Sequence, residues 1–228
     1  MKTPKPPNAT RTALIAGASG LVGGFCLKEL LHNPLYKEVT ALVRHPLSLE
    51  HPKLKQKKVD FEALEKELKG IRAEDVYCCL GTTIRKAGSR PAFRKVDLDH
   101  VVSLGRYASQ TGAKRMLVVS ALGADPNSAV FYNHIKGEME SALSRLHLKS
   151  LILFRPSLLL GRRPEFRLGE RIAMTVFPFF DPLLRGRLRK YRAIPAEYVA
   201  RAMVRSAETA LPGVHVLESD RIELLGRD

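Results

Sequence analysis

The segment Thr12-Ala13-Leu14-Ile15-Ala16-Gly17-Ala18-Ser19-Gly20-Leu21-Val22-Gly23-Gly24 constrains the whole chain. Residues suited to a buried strand run into glycines at a spacing of three, and an apolar-periodic helix starts among them. Gly17 can take a positive φ in a tight turn, Gly20 lets backbone approach a phosphate, and Gly23 lets the helix pack on its own strand. The first N–H groups of such a helix have no intrahelical partner and favour an anion. Gly17, Ser19, Gly20, Leu21, Val22 and Gly23 are therefore the expected contacts to a dinucleotide pyrophosphate. The bland alternative is a glycine-rich turn with no ligand.

Further along, apolar runs alternate with amphipathic segments. Strands are expected at 12–16, 38–43, 57–61, 75–80, 115–120 and 148–154, and helices at 20–31, 63–68, 93–109 and 130–146. This cadence predicts an α/β fold, a doubly wound parallel sheet (Rossmann fold) with helices on both faces. Val76-Tyr77-Cys78-Cys79-Leu80, Met116-Leu117-Val118-Val119 and Leu151-Ile152-Leu153-Phe154 are apolar without interruption, as strands buried on both faces are. After Pro156 the pattern loosens into a mixed helix at 172–177, the Pro-bounded aromatic run Phe177-Pro178-Phe179-Phe180, a basic stretch, a helix at 196–208 and a strand at 214–217. We expect a disordered leader at 1–11 and one domain at 12–228, with a small C-terminal lid mainly in 156–195.

The 228 residues are 45% hydrophobic with a net charge of +15, a globular but basic composition. Three cysteines, Cys26, Cys78 and Cys79, two of them adjacent, read as reduced thiols of a cytoplasmic protein. No membrane span or export signal is visible. Lys53-Leu54-Lys55-Gln56-Lys57-Lys58 and Arg185-Gly186-Arg187-Leu188-Arg189-Lys190-Tyr191-Arg192 concentrate the excess charge. They are either solvated surface or a contact for a phosphate-bearing partner. No zinc-finger spacing, homeodomain-like pattern or RNA-binding aromatic signature accompanies them, which disfavours nucleic acid. No metal cluster is apparent, and Ser19, Ser103 and Ser157 lack the setting of a nucleophile elbow.

The second strand ends Leu42-Val43-Arg44-His45, with a guanidinium where an NAD site would place a carboxylate. Arg44 suits a 2′-phosphate, so NADP(H) is favoured over NAD(H). Asp60 can accept from an adenine amino group, with Phe61 beside the ring, or it can cap the helix that follows. At the other end, Ser120 closes a strand at the carboxyl edge of the sheet, and Tyr132 and Lys136 share a helix face one turn apart. The three form a workable carbonyl reductase. Tyr132 donates the proton, Lys136 stabilises the phenolate and binds the nicotinamide ribose, Ser120 holds the carbonyl oxygen, and the cofactor supplies the hydride. The bland alternative makes Tyr132 a core aromatic and Lys136 a solvated charge. His134, between them, points elsewhere on the helix.

With Gly17-Ala18-Ser19-Gly20-Leu21-Val22-Gly23, Ser120 and Tyr132…Lys136 in order, the chain resembles an atypical short-chain dehydrogenase/reductase. Tyr77-Cys78-Cys79-Leu80-Gly81-Thr82-Thr83, Lys86-Ala87-Gly88, Val96-Asp97, Ser120-Ala121-Leu122-Gly123-Ala124-Asp125, Lys136-Gly137-Glu138-Met139-Glu140 and Phe154-Arg155-Pro156 are similar to its Tat-interacting oxidoreductase-like branch. The resemblance implies NADP(H) binding through the glycine loop and Arg44, with Cys79, Leu80, Gly81, Thr82 and Pro156 beside the cofactor. It supports cofactor binding better than turnover. The leading expectation is an NADP(H) oxidoreductase acting on a small or apolar carbonyl or hydroxyl compound. The alternative is a non-catalytic, redox-sensing NADPH-binding regulator with a protein partner or a homo-oligomer. A nucleotide-sugar epimerase or dehydratase is disfavoured by the short region after Pro156.

Overall fold

The computed structural model describes residues 10–161 and 186–227. β1 (Arg11–Ala16) leads through the glycine turn into α1 (Leu21–His32), then β2 (Tyr36–Val43), β3 (Leu54–Lys58), α2 (Leu64–Glu67) and β4 (Asp75–Cys78). The connection after β4 carries α3 (Ile84–Ala87), α4 (Arg90–Arg94), a π-turn at Lys95–Asp99 and α5 (His100–Gln110). β5 (Arg115–Val119), α6 (Phe131–Ser144) and β6 (Ser150–Arg155) follow. The chain closes with β7 (Leu159–Leu160), β8 (Ile194–Pro195), α7 (Ala196–Thr209), β9 (Gly213–Glu218) and α8 (Ser219–Gly226).

Seven strands form one parallel sheet in the order β3-β2-β1-β4-β5-β6-β9, the doubly wound arrangement read from the sequence. Winding reverses between β1 and β4, which opens a crevice at the carboxyl edge. The central strands feed two cores by turns. Leu14, Val76, Cys78, Met116 and Val118 pack with Leu104, Met139 and Leu143 on one face. Ile15, Tyr77 and Leu117 pack with Cys26, Leu30, Val199 and Met203 on the other. Both faces being apolar explains the uninterrupted runs.

At the amino edge, Tyr36 Oη donates to Asp75 Oδ2 at 2.6 Å and Arg115 reaches Asp75 Oδ1 at 2.5 Å. Burial and the Asp75 carboxylate push the Tyr36 and Tyr77 phenols above their ordinary range. With Arg11 of β1 4.0 Å from Asp75 Oδ2, this network ties four strands together at the end remote from the crevice.

Several boundaries differ from those expected. β1 already includes Arg11, inside the expected leader. The third strand lies at Leu54–Lys58, so the first lysine-rich stretch is the edge strand itself. Lys55 pairs with Glu38 at 2.5 Å and Lys53 donates to the Asn33 carbonyl at 2.9 Å. Charged side chains on an edge strand discourage pairing with another chain. In the second basic stretch, residues Gly186–Tyr191 form a 3₁₀ turn in which Arg189 pairs with Glu223 at 3.3 Å and Lys190 with Glu218 at 2.9 Å. α8 was not anticipated. The leader up to residue 9, the helix expected at 172–177, the aromatic run Phe177 to Phe180 and Arg185 lie outside the described residues.

Candidate active site

Because the sheet is parallel, the residues after β1, β2, β3, β4, β5 and β6 emerge on one edge. That places Gly17, Arg44, Asp60, Cys79, Ser120 and Pro156 along a single rim.

Gly17 has φ +86°, and a Cβ there would fall 2.5 Å from the Cys79 carbonyl carbon and oxygen. A Cβ on Gly23 would fall 2.0 Å from the Gly17 oxygen. The turn, the start of α1 and the segment after β4 are thus packed backbone to backbone. No side chain caps α1, so the N–H groups at its start are left for solvent or an anion. Ser19 and Gly20 are exposed, Leu21 is half-buried and Val22 is buried. Arg44 is exposed and has no hydrogen bond or ion pair with any described residue. Asp60, itself exposed, caps the turn after β3, Oδ1 accepting from Glu62 N–H at 2.9 Å. Phe61 packs against His100 with ring centroids 5.6 Å apart. A glycine cradle with no room for side chains, an uncapped helix start and a free guanidinium fit a dinucleotide.

At the chemical end, Tyr132 opens α6 and keeps 38% of its surface exposed, its ring 5.8 Å from Phe93. Lys136, one turn on, is 3% exposed and reaches Asp97 Oδ1 at 2.9 Å. Asp97 is 1% exposed, and its Oδ2 accepts from the Thr82 N–H at 2.8 Å. Burial alone would lower the Lys136 pKa, but Asp97, with smaller contributions from Tyr132 and Cys78, outweighs it and holds the value above that of an ordinary lysine. One carboxylate therefore joins the loop of the expected cofactor contacts to the helix of Tyr132. The sequence reading gave Asp97 no role in the site. Its signal is an acid in phase with the buried Phe93, Val101 and Leu104, where an amphipathic helix would carry an apolar residue.

Ser120 stands at the end of β5, but only 3% of its surface is exposed, and its hydroxyl donates to Glu140 Oε1 at 2.5 Å. Arg155 clasps the same carboxylate, with Nε 3.0 Å from Oε1 and Nη2 2.5 Å from Oε2. Glu140 is a second buried acid not assigned a role in the site. Around the rim, Leu80 and Thr82 are half-buried, Gly81 is exposed and Pro156 is buried, its carbonyl accepting from Leu122 N–H at 2.9 Å. Cys79 is half-buried, 4.0 Å from the Met203 sulfur. His134 lies within 3.7 Å of Glu138, on the surface side of α6. All three cysteines are free. Among the described residues, no cluster of His, Cys, Asp and Glu is arranged to hold a metal ion, and no helix is long and apolar enough to cross a membrane.

The model of a family described as NAD(P)H-binding matches residues 17–160, from the glycine turn to β7. The chain belongs to this NAD(P)H-binding family. Within it, the chain is a homologue of Protein HTATIP2 from Rattus norvegicus, 37% identical over 223 residues, covering 96% of this chain and 90% of that protein. It is also similar to Protein FMP52, mitochondrial, from Candida albicans, 33% identical over 171 residues, with 72% and 75% covered. The likeness to Protein HTATIP2 agrees with the branch resemblance read from Tyr77-Cys78-Cys79-Leu80-Gly81-Thr82-Thr83. Among solved structures, UDP-glucose 4-epimerase from Thermotoga maritima superposes with a TM-score of 0.67 at 16% identity, with 95% of this chain and 82% of that one covered. MoeE5 in complex with UDP-glucose and NAD gives a TM-score of 0.66 at 18% identity, with 92% and 79% covered. At such identities the likeness is one of fold.

Proposed function

We propose that this NAD(P)H-binding protein is an NADP(H)-dependent oxidoreductase acting on a small or apolar carbonyl or hydroxyl compound. The observation that carries the reading is the placement of an exposed Tyr132 one helical turn from a buried, charged Lys136, on the rim that holds the glycine cradle. The cofactor, when bound, supplies or accepts the hydride. Tyr132 gives the proton to the carbonyl oxygen, and Lys136 favours the phenolate left behind. Asp97 keeps Lys136 charged and fixed. The N–H groups at the start of α1 would hold the pyrophosphate and Arg44 the 2′-phosphate. The Asp60 carboxylate would accept from the adenine amino group, and Cys79 to Thr82 and Pro156 would flank the nicotinamide half. Ser120 holds the substrate oxygen by giving up its bond to Glu140.

Two measurements test this. In calorimetric titrations NADPH binds tighter than NADH, and Arg44→Ala removes about 1.5–3 kcal/mol of that preference. In a screen of aldehydes, ketones and quinones, Tyr132→Phe abolishes cofactor oxidation at unchanged NADPH affinity; undiminished turnover refutes the assignment. The commitment of the Ser120 hydroxyl to Glu140 favours one rival, a non-catalytic NADPH-binding regulator. That rival predicts NADPH binding with no turnover and no effect of Tyr132→Phe.

A further inference from the structure

We propose that Gln56 is a positioning residue for this site: by pinning the connection that follows β2, it presets Arg44 for a phosphate monoester and so sets the preference for NADP(H) over NAD(H). The proposal rests on the reading of Arg44 given above and goes beyond it to the residue that holds the guanidinium in place. Its ground is a connection with no regular structure of its own.

β2 and β3 run parallel, so the chain leaving β2 at the carboxyl edge must return along the sheet to the amino edge before β3 begins. Such crossovers usually contain a helix. Here residues 44–53 make the return, and no helix forms among them. What orders them is the side-chain amide of Gln56. Its Oε1 accepts from Leu47 N–H at 2.7 Å, and its Nε2 donates to the Leu47 carbonyl at 3.1 Å and to the Leu49 carbonyl at 3.1 Å. One side chain thus satisfies both backbone groups of Leu47, as a neighbouring strand would. Gln56 stands opposite Ala41, which belongs to the core on the α1 face, and Leu47 and Leu49 pack half-buried against that same core. The amide and the two leucines therefore hold the connection down on one side of the sheet.

Arg44 lies between two fixed points. Before it, Val43 ends β2, and its carbonyl accepts from Val59 N–H at 3.0 Å. After it, Leu47 is fixed by Gln56. Only Arg44, His45 and Pro46 lie between them, all exposed. The Pro46 ring fixes its own φ and disfavours the helical region for His45. A guanidinium on so short and tethered a span meets a phosphate without first having to order its backbone, and the saved cost appears as affinity for the nucleotide that carries the phosphate. NAD(H) has a hydroxyl in place of that phosphate and gains nothing from the tether.

The test is a double-mutant cycle read in nucleotide selectivity. NADPH and NADH are titrated calorimetrically into wild type, Gln56→Met, Arg44→Ala and the double variant. Gln56 is itself exposed, so methionine removes the three hydrogen bonds without opening the core. Gln56→Met is expected to weaken NADPH about fivefold and NADH by less than about twofold. In the Arg44→Ala background the same replacement is expected to change the ratio of the two affinities by less than about twofold, because the residue it positions is gone. Pro46→Gly, which leaves Gln56 and its bonds in place but frees the span, is expected to lower the NADPH preference in the same sense. NADH affinity and thermal unfolding, measured on each protein, report that the fold is intact. An NADPH preference unchanged in Gln56→Met, equal weakening of both nucleotides, or an effect of Gln56→Met that persists without Arg44 overturns the proposal. Loss of the preference in Arg44→Ala with its retention in Gln56→Met leaves the Arg44 reading standing and refutes this one. A wild type that binds NADPH no tighter than NADH refutes both.

Discussion

Replacing Asp97 with alanine tests the central joint of the site. The carboxylate has two duties inside the protein, accepting from Lys136 Nζ at 2.9 Å and from the Thr82 N–H at 2.8 Å, with only 1% and 3% of the two charged side chains exposed. Its removal strands a buried ammonium, which costs about 3–5 kcal/mol when the partner is lost, and a backbone donor worth about 1–3 kcal/mol. The two penalties overlap, because relaxation that wets one group wets the other, so about 4 kcal/mol is expected. That is a large part of the roughly 5–15 kcal/mol that holds a domain folded. Urea denaturation followed by circular dichroism measures it, with an unchanged slope as the check that the variant folds to the same state. The double variant Asp97→Asn, Lys136→Met removes both charges and keeps an acceptor for Thr82, so it should lie within about 2 kcal/mol of wild type. A loss below about 1 kcal/mol for Asp97→Ala, or strict additivity of the single variants Asp97→Asn and Lys136→Met in the double variant, refutes the argument that the pair is dry and mutually dependent. The sign of the pH dependence follows from the raised Lys136 value. The stabilisation is complete below 10.5, the free lysine value, and disappears as the pH rises through the higher folded value.

Gly17→Ala abolishes NADPH binding by calorimetry, because its Cβ would meet the Cys79 carbonyl at 2.5 Å. Gly70→Ala, at φ +83° with nothing within 4 Å, should lower stability only by about 1–2 kcal/mol and leave binding alone. The thiols of Cys78 and Cys79 should resist iodoacetamide in the native protein near pH 8 and react on unfolding. Burial pushes Cys78 up to about 12, and the hydrogen bond to Cys26 with burial raises Cys79. Rapid native labelling of either, seen by mass spectrometry, contradicts that. Glu140→Ala strands the Arg155 guanidinium and the Ser120 hydroxyl and should cost about 3 kcal/mol by the same urea assay, with a cost near zero refuting the network.

How much of this was legible in the sequence depended on whether its cause is local. The glycine turn is local: strand, turn and helix follow one another within thirteen residues, and each glycine answers a contact inside that unit or with the neighbouring strand. The central strands are legible because both faces are covered, so neither face has to be guessed. β3 is the opposite case. It has one neighbour, and the lysines that suit an exposed edge erase the apolar signature of a strand. α8 depends on a distant contact, since a Cβ on its Gly226 would fall 2.0 Å from the Tyr198 carbonyl oxygen on α7. Tyr132 and Lys136 could be paired by helical spacing, but whether Lys136 is solvated or buried is decided by an aspartate 39 positions earlier. The same holds for Ser120, whose placement follows from the end of β5 and whose hydroxyl is claimed by Glu140 from a helix turn beyond Lys136. Asp97 and Glu140 nevertheless leave a mark that a sequence can show. Each occupies a position on the apolar stripe of its helix, Asp97 between Phe93 and Val101 and Glu140 between Met139 and Leu143. An acid there either breaks the core or meets a buried base or donor, and in a chain with Lys136 on one such stripe the second outcome predicts the joint.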